Sequence, residues 1–219
     1  MKKLTLMSIL VLLIASPSLA VPVIHFTEPL GATEGWKYTG AANGTFTFNL
    51  EVDQGLGSGS DGLVGLAVLV IPALDVSGAP GGPYTLNPQG TGEIKITNVA
   101  GTETYLKGTL GTGDLLAAGS IGLAYWNIKD DITGLSFPDA VPGGSAAIDA
   151  IVAAGLPLDF DVALTGGPST FPKMLDGTIP GQAASYSDGA TGSMTIVPEP
   201  ATVALLGFGS LSLILRRRR

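Results

Sequence analysis

The residue types able to do chemistry are few and scattered in this 219-residue chain. His25 is the only histidine, and there is no cysteine. Thiol nucleophiles and thiolate metal sites are therefore excluded. A Ser-His-Asp relay would have to use His25, but no Gly-x-Ser-x-Gly elbow accompanies it. One histidine also cannot build a zinc site. Asp159 and Asp161 stand two apart within Leu158–Leu164. Paired carboxylates can act as acid and base on a glycosidic bond. Here they face away from an apolar stripe, about 7 Å apart, and read as solvated strand charges.

Gly57-x-Gly59-x-x-Gly62 has the spacing of a dinucleotide fingerprint. That fingerprint needs a helix opening at its end, and Leu63–Ile71 reads instead as a strand buried on both faces. Gly57, Gly59, Asp61 and Leu63 also fit one calcium-binding nonapeptide, with Leu56 replacing its first glycine. Such repeats work in tandem, because ligands come from successive turns. Exposed carboxylates elsewhere leave calcium open, without EF-hand spacing. No cofactor and no metal site is expected. Trp36, Tyr38, Tyr84, Tyr105, Tyr125 and Trp126 are large aromatics with polar tips. An exposed row of them would bind sugar rings; core and edge packing is the plainer reading. Tyr125 and Trp126 are adjacent, so on a strand they point to opposite faces.

The elements that must carry these residues are mostly short strands. Val21–Ile24 predicts a first strand, with Pro22 placing it at an edge. Trp36–Tyr38 is a short extended piece, and Asn43-Gly44 a turn that also fits a glycosylation acceptor. Thr45–Val52 alternates with Phe46, Phe48, Leu50 and Val52 on one face. Ser77–Gly92, rich in proline and glycine, predicts a surface loop. Glu93–Val99 and Thr102–Leu110 form a hairpin across Ala100-Gly101. Another strand is best placed at Ile121–Ile128, and Asp130-Asp131 and Thr133-Gly134 turn the chain. Pro138–Gly144 is a loop.

Ser145–Ala154 is the one helix, capped by Ser145 and ended by Gly155. Its inner residues are Ala146, Ala147, Ile148, Ile151 and Val152. Leu158–Leu164 is a strand with Leu158, Phe160, Val162 and Leu164 inward. Gly166-Gly167-Pro168 turns the chain, and Gly192–Val197 closes the fold. Some eight strands, one short helix and no βαβ rhythm predict an all-β fold, an antiparallel β-sandwich or jelly roll. No fixed-period repeat and no linker divides it.

Both ends of the chain read as processing segments. Lys2 and Lys3, the apolar Leu4–Ile14 and the small residues Ser18 and Ala20 make residues 1–20 a secretory signal peptide, cut after Ala20. The body, 21–196, suits one domain with a real core. It holds five basic and seventeen acidic residues, a net charge of −12. That excess argues against nucleic acid or anionic lipid as partners.

Residues 197–219 are organised differently. Pro198-Glu199-Pro200 precedes an apolar run, Ala201–Leu215, and then Arg216, Arg217, Arg218 and Arg219. As a hydrophobic helix the run covers about 23 Å, short of a core about 30 Å thick. Snorkelling arginines extend its reach and hold the C-terminus in the cytoplasm. The prolines hold Glu199 extended outside the membrane. By its physics alone this segment is a C-terminal anchor with a stiff collar.

Pro198-Glu199-Pro200, a short apolar helix and a terminal arginine cluster together resemble the PEP-CTERM sorting signal of Gram-negative bacteria. The resemblance covers about a tenth of the chain. It implies recognition by an exosortase, an integral-membrane cysteine transpeptidase, and tail removal near Pro198, Glu199 and Pro200. It further implies export, with signal peptidase and exosortase as partners, transient anchoring in the inner membrane, and delivery to the cell surface or extracellular matrix. For the body three readings stand: a non-enzymatic structural or adhesive protein, with exopolysaccharide as a candidate partner; a carbohydrate-binding, lectin-like module; and a secreted hydrolase, whose acid, base and nucleophile the sequence does not assemble.

Overall fold

The computed structural model describes residues 21–32, 34–39, 44–78, 84–118, 125–155, 157–164 and 185–196. Val21–Ile196 forms one compact unit. Residues 1–20, read from sequence as a signal peptide, Asn43, Gly166-Gly167-Pro168 and the whole tail lie outside the described residues. Among those residues no helix is long and apolar enough to cross a membrane.

Fourteen strands form one antiparallel sheet. They are β1 (Val21–Thr27), β2 (Trp36–Thr39), β3 (Thr45–Phe48), β4 (Leu50–Gly55), β5 (Ala67–Val70), β6 (Leu74–Gly78) and β7 (Tyr84–Pro88). Then follow β8 (Glu93–Asn98), β9 (Thr104–Leu110), β10 (Gly113–Ala118), β11 (Tyr125–Ser136), β12 (Leu158–Leu164), β13 (Ser185–Asp188) and β14 (Ala190–Ile196). Helix α1 (Ala146–Ala154) lies between β11 and β12.

Registers show that several strands are segments of longer ones. β4 and β3 pair in turn with β1 and β2, and also with β5 and β6. β7 and β8 likewise continue each other, as do β9 and β10. β13 and β14 do so across Gly189. Hydrogen bonding then runs β1-β4-β5-β8-β9-β11-β12-β14 and returns to β1. This is an eight-stranded up-and-down barrel whose strands follow sequence order, with the remaining strands extending it.

The architecture is a barrel, not the expected sandwich or jelly roll. An alternating stripe buries one face equally well in either. What decides is the pairing of β1 with β14, from Val21↔Ile196 to Thr27↔Thr191. No local pattern reports a contact between residues so far apart. Closure also removes edges, so the first strand is not an edge. It pairs β14 on one side and β4 on the other, and Pro22 sits beside a register shift, where its missing N–H is tolerated.

Other expectations are corrected in the same way. Leu63–Ile71 is not one strand: 62–66 is turn and only Ala67–Val70 pairs, with Ala67 and Leu69 buried and Val70 outward. Ser77–Gly92 is not a loop, because β6 and β7 pair through it and bury Val76, Tyr84 and Leu86. Alternation outweighed its proline and glycine content. Asp130-Asp131 and Thr133-Gly134 do not turn the chain. They lie within β11, and Gly134, at φ 62°, takes up a bulge. The strand predicted at Ile121–Ile128 begins, among described residues, at Tyr125.

Inward side chains fill the barrel, as expected for eight strands. Phe26 stacks on Phe160 at 5.8 Å between ring centres, and Phe46 meets Trp36 and Tyr38. Gly192 lies beneath the Phe26 ring, where an added Cβ would strike both that ring and the Asp161 carbonyl. β12 turns Leu158, Phe160, Val162 and Leu164 inward, as its alternation predicts.

The helix forms where expected. Ser145 caps it with an extended backbone and accepts the Ile148 N–H, and Gly155 ends it at φ 61°. Ala147 and Ile151 are buried, whereas Ala146 and Val152 face out. Only a narrow stripe of so short a helix meets the barrel.

Candidate functional site

Three strands bring His25, Asp53 and Thr191 together. β1 turns Ile24 and Phe26 inward, which leaves His25 on the outer wall, half-buried. Asp53 Oδ1 on β4 lies 2.6 Å from His25 Nδ1, and Thr191 Oγ1 on β14 lies 3.1 Å from Nε2. The order carboxylate, imidazole, hydroxyl is that of a nucleophilic relay. Sequence reasoning named His25 but not its partners. Asp53 and Thr191 are 28 and 166 residues away, so only strand register could reveal them.

Acyl transfer needs more than this order. Donors must point at a developing oxyanion. Thr191 lies inside ladders to both β1 and β12, which engage the backbone around it. Its hydroxyl also reaches the Phe26 carbonyl at 3.3 Å. The arrangement therefore stitches β4, β1 and β14 together where the barrel closes.

The carboxylates of β12 separate. Asp161 pairs with Lys129 at 3.3 Å. Asp159 faces Asp131 across the β11–β12 ladder. Partial desolvation, then the hydrogen bond and charge of Asp131, push the Asp159 carboxyl above the usual range. The two share a contact closer than the roughly 5 Å or more that glycoside hydrolysis needs. Asp130 is also held high, chiefly by burial, although the Asp131 and Gly111 N–H groups favour its charged form.

Asp61, a candidate calcium ligand in sequence, is committed elsewhere. Its Oδ1 accepts from Leu63 N at 3.0 Å and Ser145 Oγ at 2.7 Å, and its Oδ2 accepts from Ala147 N at 3.1 Å. It caps α1 from a loop 84 residues away. Gly62 permits this, since a Cβ there would collide with the Gly144 carbonyl. The glycines at 57, 59 and 62 lie in turns, not at a helix start. Among the described residues no group of three or more His, Asp or Glu could hold a metal.

Of the polar-tipped aromatics, Trp36, Tyr38, Tyr84 and Tyr105 are buried. Tyr38 accepts the Gly44 N–H at 2.7 Å, and Tyr105 donates to Glu103 at 2.9 Å. The side chains of Tyr125, Trp126 and Tyr186 are outside the described set. An apolar hollow of about 370 Å³ lies between α1 and the end of β11, lined by Leu135, Phe137, Ile151, Val152 and Pro157 among others.

The residues expected to direct processing, Ala20, Pro198, Glu199 and Pro200, and those expected to orient the tail, Arg216–Arg219, lie outside the described residues, but their attachment points do not. Val21 opens β1 opposite Ile196, the last residue of β14, and Ile196 also pairs with Leu158. No curated protein and no solved structure matches the chain. A family model does match residues 197–219, that of the PEP-CTERM protein-sorting motif. Since β14 ends at Ile196 and the match begins at the next residue, the chain is a β-barrel that carries a PEP-CTERM protein-sorting motif as its C-terminal tail.

Proposed function

We propose that this chain is exported, held briefly in the inner membrane by its tail, and freed by an exosortase. The body then serves at the cell surface or in the extracellular matrix as a non-enzymatic structural or adhesive component. The observation that carries this is the sorting motif at 197–219, joined directly to the closing strand of the barrel. A body of net charge −12 suits a soluble surface protein, because like charge opposes self-association. The His25 cluster supports no hydrolase reading, since the backbone around its hydroxyl is committed to strand pairing.

Carbohydrate binding is the second reading. With Trp36, Tyr38, Tyr84 and Tyr105 in the core, it rests on Tyr125, Trp126 and Tyr186. Mass spectrometry of the secreted protein tests the route: ends at Val21 and near Pro198 are expected. A secreted form that keeps Arg216–Arg219 refutes it. A glycan array on the same material decides between adhesion through sugar and a purely structural role.

A further inference from the structure

Resting on that reading, we propose that one end of the barrel is a docking surface for a zwitterionic lipid bilayer while the tail is in place. In an up-and-down barrel the strand ends sort strictly to two rims. The rim where β14 ends also carries the β4–β5 connection, the β8–β9 turn, and the segment from β11 through α1 to β12. Four exposed large apolar residues lie on these connections: Leu56 (43 % exposed), Leu66 (47 %), Val99 (74 %) and Val152 (54 %). The apolar hollow beside α1 opens on the same connections.

Leu56 is the least expected of these. It is a non-glycine residue at positive φ, 49°, flanked by Gly55 and Gly57. Leucine is disfavoured there both by backbone and by exposure, so its side chain needs a use.

Chain length brings this rim to the bilayer. Only Val197–Pro200 separate β14 from the apolar run. Four extended residues span at most about 14 Å. The headgroup layer on one side takes up roughly 5–8 Å of that. The end of β14 is thus kept within reach of the headgroups, and tethering lets even weak contacts between rim and bilayer form. Leucine and valine side chains enter that boundary.

Charge selects the lipid. Residues 56–66, 99–103 and 137–157 contain no lysine or arginine. Their acids are Asp61, Glu103, Asp139 and Asp149, and the first three are hydrogen-bonded within the fold. This rim has nothing to attract anionic headgroups.

The absence of cysteine makes the test clean. Val99→Cys, Val152→Cys and, as a wall control, Val70→Cys (Val70 is 45 % exposed) are each labelled with an environment-sensitive dye in the full chain. The labelled chains are reconstituted in phosphatidylcholine vesicles with a quencher high on the acyl chain. Labels at 99 and 152 should shift to the blue and be quenched several-fold more than the label at 70, with less quenching when anionic lipid is added. Equal quenching at all three positions in chains that float with the vesicles overturns the docking surface but leaves the anchor intact. Failure to float overturns the anchor, and this inference with it. A blue shift that depends on protein concentration and not on lipid overturns it in favour of a second copy of the chain.

Discussion

Replacing Asp61 with alanine should destabilise the barrel by about 3 kcal/mol. The carboxylate accepts three hydrogen bonds, from Leu63 N, Ser145 Oγ and Ala147 N. A bond to a charged acceptor contributes roughly 1.5–3 kcal/mol, and a lost helix cap costs about 1 kcal/mol. Ser145 would still accept from Ile148 N, so the helix would not lose all its capping. However, Ser145 is buried, and its hydroxyl would be left without its acceptor, as would the Ala147 N–H. In a body of this size each kcal/mol moves Tm by roughly 2–4 °C, so the expected fall is about 6–12 °C. Urea unfolding followed by circular dichroism measures the free-energy loss, and thermal unfolding the fall in Tm. With Ser145→Ala the two losses should be non-additive by about 1 kcal/mol, because the residues share a bond. A cost for Asp61→Ala below about 0.5 kcal/mol, or simple additivity, refutes the capping role and returns Asp61 to a loop.

Three further outcomes are expected. Gly192→Ala should cost about 1–3 kcal/mol in chemical denaturation, because the new methyl meets Phe26 and a β12 carbonyl; a neutral result denies the close packing of β14 at the closure. The raised Asp159 carboxyl binds its proton more tightly folded than unfolded, so its contribution is greatest in acid and is lost as pH rises through its folded value. Asp131→Asn should therefore stabilise the protein near pH 7 by a few tenths of a kcal/mol to about 1 kcal/mol and hardly at all at pH 3; equal effects at both pH values exclude repulsion between Asp131 and Asp159 as its source. A fluorophosphonate probe should leave the chain unlabelled, and adduct formation at Thr191 by mass spectrometry would make the His25 cluster a working nucleophilic relay.

The residues that sequence reasoning read well are those whose signals are local. Pro198-Glu199-Pro200, the apolar run and the terminal arginines are contiguous, and a family model matches that same segment. Ser145 and Gly155 bracket a helix because capping geometry involves only neighbours three or four residues away. The stripe Leu158–Phe160–Val162–Leu164 shows its buried face by period two alone. Prolines and glycines misled over 77–92, because turn residues there flank strand residues closely, and only partners across the ladder show which prevail.

What tertiary structure alone decided is everything that depends on closure. Any eight alternating strands bury a stripe, but only β1 beside β14 makes a barrel. That pairing brings Thr191 to His25, which the β1–β4 ladder sets beside Asp53, and it puts Val21 and Ile196 on the same rim. The same long-range folding takes Asp61 from an imperfect calcium repeat and makes it a helix cap. The physical reason is common to all of these: a side chain's partner across the sheet is set by strand register, and register is a property of the assembled sheet that no single strand contains.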